Sequence, residues 1–156
     1  MTDAPAPHHP AFLDDPRAFE GVLTRRVLAS AIDVLAIAVL VSAFVLVFTV
    51  ATLGLGLILI WLLPVIPIIT ILYIAKTVGG PTQASWGMRM TGIRLERLDG
   101  GRVDWMLAAI HSLLFWASVT LLTPLVLLVG LVTDRRRLGH DILLGTAMVR
   151  TDTRLR

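Results

Sequence analysis

Cysteine is missing from all 156 residues, which removes disulfides, thiol catalysis and thiolate metal sites together. Charged residues are scarce, at 16% of the chain against 56% apolar, and mean hydropathy is +0.81. A soluble domain of this length has too little interior to hide that much hydrocarbon, because small folds keep a large share of their chain at the surface. The opening residues lack the basic start and apolar stretch of a secretory signal. No glycine-rich phosphate loop follows a strand, no serine sits in a nucleophile elbow, and no zincin-type histidine pair occurs. No enzyme is expected. The net charge of +3 does not predict a nucleic-acid partner either. Basic residues flank the apolar stretches and form no stripe with interleaved aromatics. A small integral membrane protein remains, with the lipid bilayer as its first partner and neither cofactor nor metal expected.

What the chain does have is long apolar runs. Residues 1–24 are polar and proline-bearing and read as a mobile N-terminal tail, with room for a short surface helix over Asp15–Thr24. The pair His8-His9 lies in it and is assigned no function. Val27–Ala75 then carries a single charge, Asp33. About 20 residues cross the hydrocarbon core, so this is length for two crossings, placed at 27–49 and 57–76 with Thr52, Gly54 and Gly56 between them. Pro64 and Pro67 should bend the second span, and Trp61 and Tyr73 sit toward its opposite ends as interfacial aromatics do. The segment 77–104 is polar again. Gly79-Gly80-Pro81-Thr82 reads as a breaker and cap for a short helix through Met90. Ile93–Leu98 alternates apolar and charged residues into Asp99-Gly100-Gly101 and Arg102-Val103, the pattern of a β-hairpin. A third strand is expected within Thr146–Val149.

The third apolar stretch, Trp105–Thr133, exceeds one span and falls short of two spans with a loop. Pro124 divides it after Thr123. The positive-inside rule places Arg25 and Arg26, and so the N-terminus, in the cytoplasm together with Lys76, Arg89, Arg94, Arg97 and Arg102. One more crossing would send Arg135, Arg136, Arg137, Arg150, Arg154 and Arg156 outside. A bent hairpin turning at Thr123-Pro124 would keep them inside. The rule favours the hairpin, and simplicity favours the single span. The expected fold is an all-α polytopic membrane protein: two full transmembrane helices, a third Pro-divided apolar segment and a small cytoplasmic β-hairpin. Its parts are the tail 1–24, a membrane domain 25–150 and a basic C-terminal tail 151–156.

Asp33 lies seven residues past Arg26, about 10 Å deeper. A carboxylate at that depth costs on the order of 3 kcal/mol to insert unless it faces protein or water. Ala29, Asp33, Ala36, Leu40 and Ala43 share a helical face rich in small residues, so Asp33 should point at another helix. His111 lies seven residues past Asp104, at matching depth if Arg26 and Asp104 mark one interface. An Asp33–His111 pair would hold and pass a proton, or else only fix helix packing. Asp141 is expected to pair with Arg26 or with one of Arg135, Arg136 and Arg137, closing a cytoplasmic charge cluster that also includes Arg25. Gly139, His140, Gly145 and Thr146 read as turn residues around it, and His140-Asp141 lacks a third partner at metal or catalytic spacing.

The order Arg26-x6-Asp33, then Gly80-Pro81-Thr82-x4-Gly87-x4-Gly92-Ile93-Arg94-Leu95-x3-Asp99-Gly100, then Gly139-His140-Asp141-x3-Gly145-Thr146 resembles the RDD family of bacterial membrane proteins. The family is named for an arginine and two aspartates. The resemblance implies that these are Arg26 (or Arg25), Asp33 and Asp141, that Gly80, Thr82, Gly87, Gly100, Gly145 and Thr146 shape its loops, and that the protein sits in the bacterial inner membrane. Met88 stands where the family usually has lysine. His111 stands where it usually has arginine, so a permanent cation has become a titratable one. Transport of ions or small solutes has been suggested for the family. The expected function is accordingly an ion, proton or small-solute transporter acting as a homo-oligomer, since two or three spans enclose a path poorly alone. The alternative is a non-catalytic subunit or scaffold of a larger membrane complex.

Overall fold

The computed structural model describes residues 11–122, 125–133 and 135–152; the His8-His9 pair, the Thr123-Pro124 turn, Arg154 and Arg156 lie outside them. The first helix, α1, runs Val22–Ala51, about 45 Å at 1.5 Å per residue. It starts five residues earlier than the expected span because Val22 continues the buried face, and Gly21, with φ 65°, turns the chain into it. The turn to the second span falls at the expected glycines. Gly54 adopts φ 102°, a backbone open to glycine, and Gly56 donates its N–H to Thr52 Oγ1 at 2.8 Å.

The second span begins as a 3-10 helix, Leu55–Val65, and continues as α2, Ile66–Val78. The bend expected at the prolines takes the form of a change in winding. Pro64 and Pro67 have no N–H to give to an α-helical ladder and crowd the preceding turn. α-Helical winding therefore starts only with Pro67 in the first turn of α2, where a missing donor is harmless. Both spans are long and apolar enough to cross a membrane. A helix in the core of a soluble protein would be buried. Here the most apolar window of α1 is 0% buried inside the protein and that of Leu55–Val78 is 11% buried.

Short helix α3, Trp86–Met90, follows, then β1, Ile93–Arg97. The third stretch forms two helices, α4 (Trp105–Leu122) and α5 (Leu125–Val132). Asp104 caps the first, accepting from Leu107 N–H at 2.7 Å. α4 starts against the end of α2, where a Cβ on Gly79 would lie 2.4 Å from Trp105 Cα. α5 ends beside the start of α1, with Leu23 packed where a Cβ on Gly130 would go. Both ends of the stretch therefore lie at the end of the bundle that carries the sheet. Helix α6, Gly139–Leu143, and strand β2, Thr146–Arg150, complete the chain.

The sheet corrects the hairpin expectation. β1 pairs antiparallel with β2, Ile93 opposite Arg150 and Arg97 opposite Thr146. The Asp-Gly turn forms, with Gly100 at φ 75° and Arg97 bonded to Asp99, but it leads into the cap of α4. Arg102-Val103 is too short to make a strand before Asp104. β2 offers more: Met148 packs with Ile93 and Leu95 toward α1 and α2, while Ala147 and Val149 face the other way.

That second face is covered by residues 11–19, which form two 3-10 turns, Ala11–Asp14 and Pro16–Phe19. Leu13, Ala18 and Phe19 are buried there against the sheet. Residues 11–24 are thus not a free tail: their few apolar side chains close a sheet that would otherwise be bare on one side.

Candidate functional site

Two buried polar clusters occupy the sheet end of the bundle, both hung from one face of α1. Val22, Arg26, Ala29 and Asp33 are its buried residues. The expected face departs further along: Leu40 is 70% exposed, because steps of 3.6 residues carry the covered stripe to Val41 and Val45 instead.

The first cluster surrounds Asp33, which is 8% exposed. Oδ1 accepts from Gly87 N–H at 2.8 Å and from the Tyr73 hydroxyl at 3.2 Å, and Oδ2 accepts from Ser85 Oγ at 2.5 Å. These contacts solve a local problem. α3 has only five residues, and its first amides have no partner within the helix. Trp86 N–H donates to the Tyr73 hydroxyl at 2.9 Å, Gly87 N–H to Asp33, and Met88 N–H to Ser85 Oγ at 3.2 Å. The cap of α3 is Ser85, not Thr82, whose hydroxyl donates to Ala84 O at 3.3 Å. Gly87 is no loop glycine either. It lies inside α3, and a Cβ there would sit 2.2 Å from Ala29 O. Only glycine lets α3 approach α1 closely enough for Asp33 to reach its amides.

The second cluster surrounds Asp141, which is fully buried. Arg26 Nη2 donates to Oδ1 at 2.7 Å and lies 2.6 Å from Oδ2. His111 Nε2 donates to Oδ1 at 2.8 Å, and Leu138 N–H donates to Oδ2 at 2.9 Å. His140, also buried, places Nε2 3.5 Å from Oδ1. Burial alone would push the Asp141 carboxyl up; the Arg26 guanidinium and the His111 hydrogen bond outweigh it and hold the carboxyl well below the usual range. Burial pushes the His140 imidazole the other way, down to about 4, against the pull of Asp141.

Asp33 and His111 are therefore not partners. No hydrogen bond joins them; Asp33 is taken by α3 and His111 by Asp141. The two do share a cavity of about 640 Å³ between α1, α2 and α4, with Arg26, Asp33, Ser85, His111 and Ser112 at its polar end. Of the expected charge cluster, Arg26 and Asp141 meet and the others go elsewhere. Arg25 donates to Thr91 O at 2.6 Å, Arg135 lies 3.4 Å from Asp14, and Arg136 donates to Leu131 O at 2.9 Å, at the end of α5. Arg137 is half-buried, and its Nε has no hydrogen-bond partner among the described residues. Gly80 and Gly100 do form turns, and Gly145 turns the chain into β2 at φ 61°. Thr146 is the first residue of that strand, its hydroxyl 3.5 Å from Asp141 O. Ser85 and Tyr73 escaped the sequence reading as site residues. Ser85, three residues before Met88, carried the signature of a helix cap that could have found it.

Two long apolar helices bare toward their surroundings, joined at one end by buried polar clusters and a small two-stranded sheet, are the build of a helical membrane protein. The chain belongs to the RDD family, whose model matches residues 21–145; Arg26, Asp33 and Asp141 all fall inside the match. No individual curated protein and no solved structure matches it.

Proposed function

We propose that the protein carries a small solute or ion across the bacterial cell membrane, as a homo-oligomer, with the cavity between α1, α2 and α4 as the place the cargo enters. The observation that carries this reading is the cavity itself. Its volume of about 640 Å³ is in the range of small-molecule sites. Apolar walls such as Val41, Leu63 and Val119 lead to Arg26, Asp33 and His111 at one end. The sheet end is cytoplasmic in this reading, because Arg25, Arg26, Lys76, Arg89, Arg94 and Arg97 gather there. The third stretch then enters and returns as a bent hairpin, since α5 is only about 12 Å long. A partner copy covers α1 beyond Ser42, where Phe44, Leu46 and Val47 are exposed. An Asp33–His111 relay has no part in this reading, since Asp33 is held by α3 and His111 by Asp141.

The test is reconstitution into vesicles with a pH-sensitive dye inside and an imposed pH or Na⁺ gradient. Gradient-dependent flux is expected from the wild type. Ile37→Trp, which fills the cavity from a partly exposed position on α1, should abolish it while the particle mass stays the same. Absence of flux, with the chain recovered in a larger assembly, would favour the subunit or scaffold reading.

A further inference from the structure

His140 is 2% exposed, and neither of its ring nitrogens has a hydrogen-bond partner among the described residues. An unpaired polar group buried in this way costs about 1–3 kcal/mol, and such groups call for a specific explanation. The ring is held by its neighbours. Phe115 packs edge-on at 5.8 Å and His111 at 4.8 Å between ring centres. Its Nε2 lies 3.5 Å from Asp141 Oδ1, the oxygen that also takes His111 Nε2 at 2.8 Å. One ligand atom from each of His111, His140 and Asp141 lies within 4.8 Å of the others.

We propose that His111, His140 and Asp141 form a binding site for a divalent transition-metal ion of the zinc kind, tying α4 to α6 at the sheet end. Bonds of about 2.1 Å in a tetrahedron hold ligand atoms about 3.4 Å apart. The His140–Asp141 separation already has that value. The His111–Asp141 separation must open by roughly half an ångström, as the proton between them moves to the other ring nitrogen and the lone pair of Nε2 turns to the metal. Two imidazoles and one carboxylate suit zinc and its neighbours and are a poor set for Mg²⁺ or Ca²⁺, which take oxygen ligands. Arg26 and Leu138 N–H hold the carboxylate in place from outside, as the outer partners of metal ligands do. Arg26 also adds a positive charge beside the ion, so the site is weaker than a charge-balanced one. The fourth position is left for water or for a group entering from the cavity, which His111 borders. The sequence offered no third partner for His140-Asp141; α4 supplies it.

The chain has four histidines, so His8→Ala with His9→Ala leaves only the two in the site. This variant, purified without a histidine tag and treated with chelator, is titrated with Zn²⁺ by calorimetry and with Co²⁺ by visible absorption. One ion per chain is expected, with the intense bands of tetrahedral Co²⁺. X-ray absorption of the zinc-loaded protein should count two imidazole ligands. His140→Phe places a ring beside Phe115, and His111→Gln keeps a donor for Asp141; each should weaken uptake at least about tenfold. No saturable uptake, fewer than two imidazoles on the zinc, or undiminished affinity in a folded His140→Phe protein would overturn the site. The imidazole count needs no variant to fold.

Discussion

The two ends of the bundle are built on different principles. At the sheet end, Asp33 and Asp141 together accept six hydrogen bonds, and Ile93, Leu95 and Val149 are fully buried. At the other end, α1 past Ser42 and the 3-10 helix Leu55–Val65 show Leu46, Val47, Leu57 and Trp61 to their surroundings. In water the second end would be an aggregation surface. In lipid it is compatible with its surroundings, because hydrocarbon tails are as apolar as leucine. The sheet end thus fixes the arrangement of the helices, and the far end only has to be long and apolar.

Removing Arg26 should break that contrast most severely. Arg26→Ala strands the Asp141 carboxylate in a dry site, and losing one partner of a buried ion pair costs about 3–5 kcal/mol. Denaturant unfolding in detergent would read this as a large drop in midpoint, with Arg26→Lys losing less. An unchanged midpoint would mean that the pair does not hold the sheet end.

Acidification should come next. His140 has a folded pKa pushed down to about 4 from an ordinary 6.5, so between those values the unfolded chain binds more protons than the folded one. Its contribution to stability is complete above about pH 6.5 and is lost as pH falls toward 4, by about 3 kcal/mol in all. Melting temperatures in chelator-treated buffer should fall across that window, and His140→Phe should flatten the curve.

The sharpest small-scale comparison sets Gly87→Ala against Leu40→Ala. The first drives a methyl into the Ala29 carbonyl and should cost about 1–3 kcal/mol. The second removes a side chain that is 70% exposed and should stay within about 0.5 kcal/mol. Equal effects in one unfolding assay would erase the distinction between the two ends.

Much of the far end was legible from the chain alone, because long apolar runs, prolines and glycines act locally. Asp33 could be assigned to a protein-facing stripe since a carboxylate among Ala29 and Ala36 has no other tolerable place. The sheet end was harder. Asp99-Gly100 announces a turn but not which strand returns, and the actual partner lies beyond α4, α5 and α6. Matching Asp33 to His111 by depth ignored α3, whose amides compete for the same carboxylate. Arg26 and Asp141 are 115 residues apart. Their pairing was one of several open to Asp141, and only the fold selects it.

The pairing of β1 with β2 has a consequence for biosynthesis. Among the described residues β2 follows all of the α-helices, so the ribosome completes both apolar spans before the strand exists. Until then β1 carries a row of unpaired amides and Arg26 waits without its carboxylate. The closure of the sheet end is therefore a late step in the folding of this chain, and the open edge is its most exposed feature until then.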